Sequence, residues 1–263
     1  MLEACQISHG FHQRPLLREV SLRVRAGELL ALAGMNGAGK STLLKILSGE
    51  LEPDQGEVRL SGKPLSGWSL RELARQRAVM PQENRLVFPF PALDVVVMGR
   101  YARHGGYPSA ADRRLARSIM HSLDVGRLAS RLYPTLSGGE RARVQLARAL
   151  CQLHGDEIGQ PFLLLDEPTA SLDLGHQQTA LAAAREFIRR QGGGVCAVLH
   201  DLNLAAQYAD RIVVLHEGGI IADGSPEEVL KESIINRAFA TRVTVTRHPV
   251  LSCPLVATQP WSV

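Results

Sequence analysis

The sequence has few cysteines, few aromatic residues and no long hydrophobic run. Its four cysteines lie far apart and form no CxxC pair, so we expect neither a disulfide framework nor a zinc site. The longest apolar runs, such as residues 162–165, fall far short of the ~20 residues that a membrane span needs. We therefore expect a protein of the reducing cytoplasm that reaches a membrane only through a partner.

Charge of one sign is not concentrated either. The formal net charge is +4, and the excess is spread over many arginines without a long block of like charges. A solvated basic surface explains this distribution better than nucleic-acid binding does. The first residues show no basic stretch followed by an apolar stretch, so we expect no secretory signal.

Apolar runs alternate with helical patterns along much of the chain. The alternation indicates right-handed βαβ units and a largely parallel sheet. Between two such regions the pattern is mostly helical, which predicts a helical subdomain inserted into an α/β core. The predicted strands include 2–8, 20–24, 29–33, 57–60, 78–80, 162–165, 195–199 and 212–215, and the predicted helices include 41–47, 111–123, 137–153, 172–190 and 202–208.

Residues 34–41, GMNGAGKS, fit the pattern GxxxxGK[ST] in full. They follow an apolar strand and precede a helix, which is the context that a phosphate-binding loop requires. Glycines let backbone N–H groups turn inward around phosphate oxygens, and the helix start adds favourable partial charge. Lys40 would reach the terminal phosphates, and the Ser41 hydroxyl would bind Mg²⁺. The alternative is a glycine-rich turn with an incidental lysine, and eight fitting positions in this context argue against it.

Two carboxylates, Asp166 and Glu167, end the apolar run at 162–165. Side chains alternate across a strand, so the two acids can serve different roles. Asp166 would hold Mg²⁺, directly or through water, and Glu167 would polarise the attacking water. The alternative is an acidic turn before Pro168, and the phosphate loop favours the catalytic interpretation.

Residues 136–140, LSGGE, open a helix. Ser137 is a suitable N-cap, and Glu140 follows three residues later, so the pair also forms a capping box. Gly138 and Gly139 expose N–H groups at the positive end of the helix, which suits a γ-phosphate. The phosphate loop already cradles one side of the nucleotide, so this second cradle suggests that two chains cap each other's nucleotides.

These motifs, in this order, resemble the ATP-binding subunit of an ABC transporter over nearly the whole chain. Residues 34–41 resemble Walker A, residues 136–140 the signature motif and residues 162–167 Walker B. Gln82 matches the Q-loop, residues 171–173 match the D-loop, and His200 matches the switch histidine.

The resemblance implies an α/β P-loop NTPase fold with a mostly parallel sheet, an N-terminal antiparallel β part and an inserted helical subdomain. It implies a single nucleotide-binding domain over 1–263. The expected parts are a core at about 1–83 and 161–240, a helical subdomain at about 84–160 and a C-terminal appendage at about 241–263.

The resemblance also implies the site residues. Glu167 and His200 would be catalytic, and Phe11 would stack on adenine, although a lone aromatic near a strand is often plain core. Glu140 stands where many family members have Gln. The expected Mg²⁺ ligands are Ser41, Gln82 and Asp166, and the expected ATP contacts are Phe11, Gly34, Asn36, Gly37, Ala38, Gly39, Lys40, Ser41, Thr42, Gln82, Ser137, Gly138, Gly139 and Glu140.

A separate permease is typical of bacterial importers. Residues 87–91 and 95–100 resemble the iron-siderophore, cobalamin and heme importer group, and the Glu-ending signature resembles the heme branch most. The resemblance implies a homodimer beneath two copies of a permease, peripheral at the cytoplasmic face of the inner membrane. A periplasmic substrate-binding protein would act indirectly, and no nucleic acid is expected.

Several alternatives stay open. The cargo could be a ferric siderophore or cobalamin. A soluble ABC ATPase of DNA repair or translation would carry a long coiled-coil insertion or a second cassette, and the sequence shows neither. A non-hydrolysing, nucleotide-gated module is disfavoured by the intact Asp166, Glu167 and His200.

Overall fold

The computed structural model describes residues 1–11, 14–82, 88–155 and 159–259, with the backbone alone at positions 11, 14 and 104. Within these ranges no helix is both long and apolar enough to cross a membrane. The strands are β1 (Leu2–Phe11), β2 (Arg14–Val24), β3 (Leu29–Ala33), β4 (Gln55–Leu60), β5 (Lys63–Pro64), β6 (Arg77–Met80), β7 (Phe162–Asp166), β8 (Gly194–Val198), β9 (Arg211–His216), β10 (Gly219–Gly224), β11 (Val243–Arg247) and β12 (Pro254–Thr258).

Helices and short 3₁₀ turns connect these strands. The 3₁₀ turns cover Leu65–Gly67, Gly126–Leu128 and Tyr133–Thr135. The α-helices are α1 (Lys40–Ser48), α2 (Leu70–Gln76), α3 (Ala92–Met98), α4 (Tyr101–His104), α5 (Ala110–Ser122), α6 (Gly138–Leu153), α7 (Leu174–Gln191), α8 (Leu202–Tyr208), α9 (Pro226–Val229) and α10 (Glu232–Phe239).

The chain divides into two compact units. The first unit contains Met1–Leu65 and the chain from Cys196 onward. It holds an antiparallel sheet in the order β2-β1-β4-β5 and strands of a mixed sheet in the order β10-β9-β3-β8. In the mixed sheet β3 and β9 are parallel, with Leu30 opposite Arg211, and β10 is antiparallel to β9.

The second unit is Ser66–Val195. It contains helices α2 to α7 and the parallel pair β6 and β7, in which Arg77 lies opposite Phe162. Every residue of β7 is buried, as expected of a parallel strand covered on both faces. The continuous apolar run of β7 therefore predicts its environment as well as its conformation.

The α/β class, the parallel strand pairs and the antiparallel N-terminal sheet are confirmed. Residues 29–33 form β3 as predicted, and each predicted helix exists with its ends within two residues of the prediction. The prediction for β2 was too short, because only residues 20–24 were expected. Strand β2 pairs with β1 through irregular register, and such bulges interrupt the alternation that marks a strand in a sequence.

Candidate functional site

The predicted phosphate loop, residues 34–41, leaves the end of β3 and enters α1. Gly34, Gly37 and Gly39 have φ angles of 143°, 80° and 100°, which L-residues rarely adopt. A Cβ on Gly34 would lie 2.3 Å from the Leu215 carbonyl oxygen, and a Cβ on Gly39 would lie 2.6 Å from the Leu17 side chain. Gly34 therefore requires glycine for space as well as for conformation, whereas at Gly39 the nearest atom is the end of the Leu17 side chain and the left-handed φ is the stronger reason for glycine.

Helix α1 begins at Lys40 with Gly39 as its N-cap. Glycine has no side chain, so no side-chain cap bonds the first turn of this helix. The first four N–H groups of any helix have no intrahelical partner, and together with the helix dipole they favour an anion. The start of α1 is thus suited to a phosphate group.

Lys40 lies over the loop that precedes it. Its side chain is 5% exposed, and Nζ donates hydrogen bonds of 2.8 Å to the carbonyl oxygens of Gly34 and Met35. A buried ammonium needs such partners, and a bound anion would compensate its charge. Of the other predicted loop contacts, Ala38 is buried, Asn36 and Gly37 are exposed, and Ser41 and Thr42 are half-buried in the first turn of α1.

His200 belongs to the same unit as the phosphate loop. The N–H of Leu199 donates to the Leu32 carbonyl oxygen at 3.1 Å, which brings the segment ending in His200 beside the end of β3. His200 itself is exposed, and Asp201 caps α8 by accepting bonds from the N–H groups of Asn203 and Leu204. The structure thus places His200 near the strand end from which the phosphate loop starts.

The predicted pair Asp166 and Glu167 lies in the second unit, at the end of β7. Asp166 is 3% exposed, whereas Glu167 is half-buried and has a φ of 52°. A non-glycine residue in the left-handed region costs about 1–2 kcal/mol, and such strain is concentrated at functional sites. This conformation turns the chain sharply after Asp166, and nothing in the sequence pattern predicted it.

The signature segment, residues 136–140, begins α6 as predicted. The Ser137 Oγ accepts a bond from the Glu140 N–H, and Glu140 Oε2 accepts one of 2.9 Å from the Ser137 N–H, so the capping box is confirmed. These bonds, the backbone bond from Ser137 first, lower the pKa of Glu140. Glu140 Oε1 also lies 3.7 Å from Arg131 Nη1, so a cation faces the charge that Gln would lack.

Gly139 packs directly on the predicted D-loop. A Cβ on Gly139 would lie 2.9 Å from the Ser171 carbonyl oxygen and 3.3 Å from the Leu172 side chain. Gln177 holds the same segment, because its Nε2 donates to the carbonyl oxygens of Thr169 and Leu172. Gln177 was not among the predicted site residues, since a glutamine on a helix gives no local signal of this role.

A cavity of about 330 Å³ in the second unit brings several predicted residues together. Gln82, Gly138 and Glu167 all contribute to its wall. Tyr133 and Arg141 were not predicted to lie there, because a contact between distant segments has no local sequence pattern. The lining residues are Met80, Gln82, Tyr133, Gly138, Arg141, Ala142, Glu167, Ala170 and Ser171.

Buried polar bonds support this cavity. Tyr133 is 1% exposed, and its hydroxyl accepts a 2.9 Å bond from Gln145 Nε2, which is buried as well. Burial raises the pKa of Tyr133, so its hydroxyl stays protonated. Arg141 Nε donates to the Leu136 carbonyl oxygen, which fixes the residue that precedes the Ser137 cap.

The predicted residues thus form two groups. The first unit holds residues 34–42 and His200, and the second holds Gln82, residues 137–140, Asp166 and Glu167. The predicted stacking of Phe11 concerns a side chain outside the described part of the structure.

The chain matches known proteins along most of its length. The family model described as ABC transporter matches residues 17–170. The hemin import ATP-binding protein HmuV of Gloeobacter violaceus is 51% identical over 257 residues, which cover 97% of this chain and 93% of the relative. The protein of the same name from Escherichia coli O157:H7 is 44% identical over 256 residues, covering 97% and 98%.

Solved structures share the fold. The ATP-binding subunit of an ABC transporter superposes with a TM-score of 0.76 at 27% identity, covering 87% of this chain and 91% of that one. A dimeric bacterial ABC transporter cassette gives a TM-score of 0.76 at 25% identity, covering 86% and 98%. With these matches and the geometry of its motifs, the chain belongs to the ABC transporter family, as one of its ATP-binding ATPase domains.

Proposed function

We propose that this chain is the ATP-hydrolysing subunit of an importer that carries heme (hemin) across the cytoplasmic membrane. The observation that carries the proposal is its similarity to four hemin import ATP-binding proteins, at 44% to 51% identity over 97% of the chain. Each of these alignments spans the segments outside the nucleotide motifs as well as the motifs themselves.

The phosphate loop fits a nucleoside triphosphate. At Gly34 a Cβ would clash with the backbone of a neighbouring strand, and the start of α1 offers N–H groups to the phosphates. Lys40 contributes the positive charge. The remaining proposed contacts are Asn36, Gly37, Ala38, Ser41 and Thr42 in the loop, and Phe11 on adenine.

Mg²⁺ would be held by Ser41, Gln82 and Asp166. Hydroxyl, amide and carboxylate oxygens are the hard ligands that this ion prefers. When bound, the ion would neutralise charge on the phosphate oxygens.

Glu167 would polarise the water that attacks the γ-phosphate, and His200 would contact that phosphate and position Glu167. Support comes from the cavity, whose lining includes Glu167 together with Gln82 and Gly138. Asp166 is buried and Glu167 is half-buried, so the two acids lie in different environments and can hold separate roles.

The signature segment would act on a second copy of the chain. Ser137 and Gly138 are exposed, so the start of α6 is open to the γ-phosphate that the partner copy binds. The dimeric cassette of similar fold supports this arrangement. Two ATP molecules would favour the closed homodimer by binding it more tightly than the open one, and hydrolysis would reverse the preference.

The homodimer would sit beneath two copies of a permease at the cytoplasmic face of the inner membrane. A periplasmic substrate-binding protein would deliver the cargo to the permease. The docking surface would be the region of residues 82–100, and within residues 88–100, which the structure describes, large apolar side chains are exposed. Phe88 is 68% exposed, Phe90 39% and Met98 37%.

The test is uptake in a strain that lacks this chain. We expect hemin uptake to be lost and to return with the intact chain but not with Lys40→Ala, which removes the phosphate-loop cation. Uptake of a ferric siderophore and of cobalamin serves as the control for the cargo. Loss of either one with hemin uptake unchanged would contradict the heme assignment.

A further inference from the structure

The C-terminal strands form a hairpin whose two outer edges are bonded by side chains. Strands β11 and β12 pair antiparallel, with Val245 opposite Val256. On the β11 edge, Glu232 Oε1 accepts a 3.0 Å bond from the Val245 N–H, and Asn236 Oδ1 accepts a 3.1 Å bond from the Val243 N–H. Both acceptors belong to α10, so α10 anchors one edge of the hairpin.

The β12 edge is anchored by one residue, Asn203 of α8. Its Oδ1 accepts a 2.8 Å bond from the Val256 N–H, and its Nδ2 donates a 3.1 Å bond to the Val256 carbonyl oxygen. The side-chain amide therefore pairs with both polar groups of Val256, as the backbone of a neighbouring strand would. Asn203 is half-buried and Val256 is 9% exposed, so water competes poorly for these bonds.

Asn203 lies in the first turn of α8, three residues after His200. Asp201 caps this turn through the N–H groups of Asn203 and Leu204, and the Leu199 N–H ties the preceding residue to β3. The short segment that carries His200 is therefore fixed on one side by β3. On the other side it continues into a helical turn that the hairpin holds through Asn203.

We propose that Asn203 is a positioning residue that fixes the His200 segment through the C-terminal hairpin. The inference rests on the proposed role of His200 at the γ-phosphate. A misplacement of a contacting group by about 1 Å can lower a rate by up to ~100-fold. The hairpin lies outside the nucleotide motifs, yet in this arrangement it contributes to hydrolysis.

The test compares Asn203→Leu with the matched variant Asn236→Leu. In both variants, leucine replaces an asparagine of similar size whose side chain hydrogen-bonds to the hairpin. Only Asn203 belongs to α8. We expect Asn203→Leu to lower kcat for ATP about tenfold, and Asn236→Leu to leave kcat within about twofold of the parent. Asn203→Asp is the second variant. Asn203→Asp keeps the hydrogen-bond acceptor but loses the donor. We therefore expect its kcat also to lie below that of the parent, and this variant adds no apolar surface as Asn203→Leu does.

Nucleotide affinity separates positioning from general loosening. In chains that also carry Glu167→Gln, which prevents turnover, Asn203→Leu should weaken ATP binding while ADP binding stays the same. ADP lacks the phosphate that His200 contacts, whereas a loosened fold would weaken both nucleotides. Equal loss for ATP and ADP would therefore overturn the inference.

His200→Ala separates the positioning role of Asn203 from the proposed role of His200 at the γ-phosphate. If His200→Ala is inactive and both Asn203 variants hydrolyse ATP like the parent, the positioning role is refuted and the proposed function stands. If His200→Ala hydrolyses ATP at the parent rate, the proposed role of His200 fails and the inference fails with it.

Discussion

Replacing Gly34 with alanine tests whether the phosphate loop has space for a side chain at this position. The new Cβ would lie 2.3 Å from the Leu215 carbonyl oxygen, which belongs to the backbone of a buried strand and cannot swing away. The φ of 143° is also a conformation that alanine rarely adopts. Backbone strain of this kind costs about 1–3 kcal/mol and overpacking about 1–3 kcal/mol. We therefore expect Gly34→Ala either to lower the free energy of unfolding by roughly 2–6 kcal/mol or to displace the loop.

Gly27→Ala is the matched control. Gly27 has a φ of 84°, but a Cβ there would meet no atom within 4 Å. The free energy of unfolding of Gly27→Ala should therefore fall only by the conformational cost of about 1–2 kcal/mol. Urea unfolding measures the stability of both variants, and fluorescence titration measures their ATP affinity. A displaced phosphate loop would also weaken ATP binding: Gly34→Ala should bind ATP at least ~10-fold more weakly than the parent, which corresponds to a loss of about 1.4 kcal/mol in binding free energy. Equal stability and equal ATP affinity of the two variants would refute the steric reasoning.

Two further predictions concern caps and pH. Ser137→Ala removes the capping bond to the Glu140 N–H, so urea unfolding should show a loss of about 1 kcal/mol that Ser137→Thr largely avoids; unchanged stability in Ser137→Ala would contradict the capping role. Burial alone would raise the pKa of Asp112, but hydrogen bonds from Ser109 and Arg100 outweigh it and lower that pKa to about 2. A lowered folded-state pKa stabilises the fold above the ordinary value of 3.8, and this stabilisation is lost as the pH falls through about 2. Asp112→Asn should therefore reduce the fall in the free energy of unfolding at acidic pH. An unchanged acid dependence would contradict a stabilising ion pair between Asp112 and Arg100.

Local patterns predicted the elements on which the site is built. The short continuous apolar runs of β3 and β7 predicted buried strands, because a strand covered on both faces has few polar positions. The Ser-x-x-Glu spacing predicted the cap of α6, because its bonds join residues three apart and need no tertiary information.

The features that local patterns did not predict depend mostly on contacts between distant segments. The pairing of Asn203 with Val256 joins residues 53 positions apart, so no window of the sequence contains it. The left-handed backbone of Glu167 is equally invisible, because glutamate carries no preference for that conformation. The cavity that joins Gln82, Gly138 and Glu167 likewise needed the packed chain.

The most direct test of the account is ATP hydrolysis by Glu167→Gln. The amide preserves the size of the side chain but accepts a proton poorly, so the water would lose its base. We expect ATP binding within about twofold of the parent and a hydrolysis rate at least ~100-fold lower, measured as phosphate release at saturating ATP. Near-normal hydrolysis with normal ATP binding would contradict the assignment of Glu167 and the mechanism built on it.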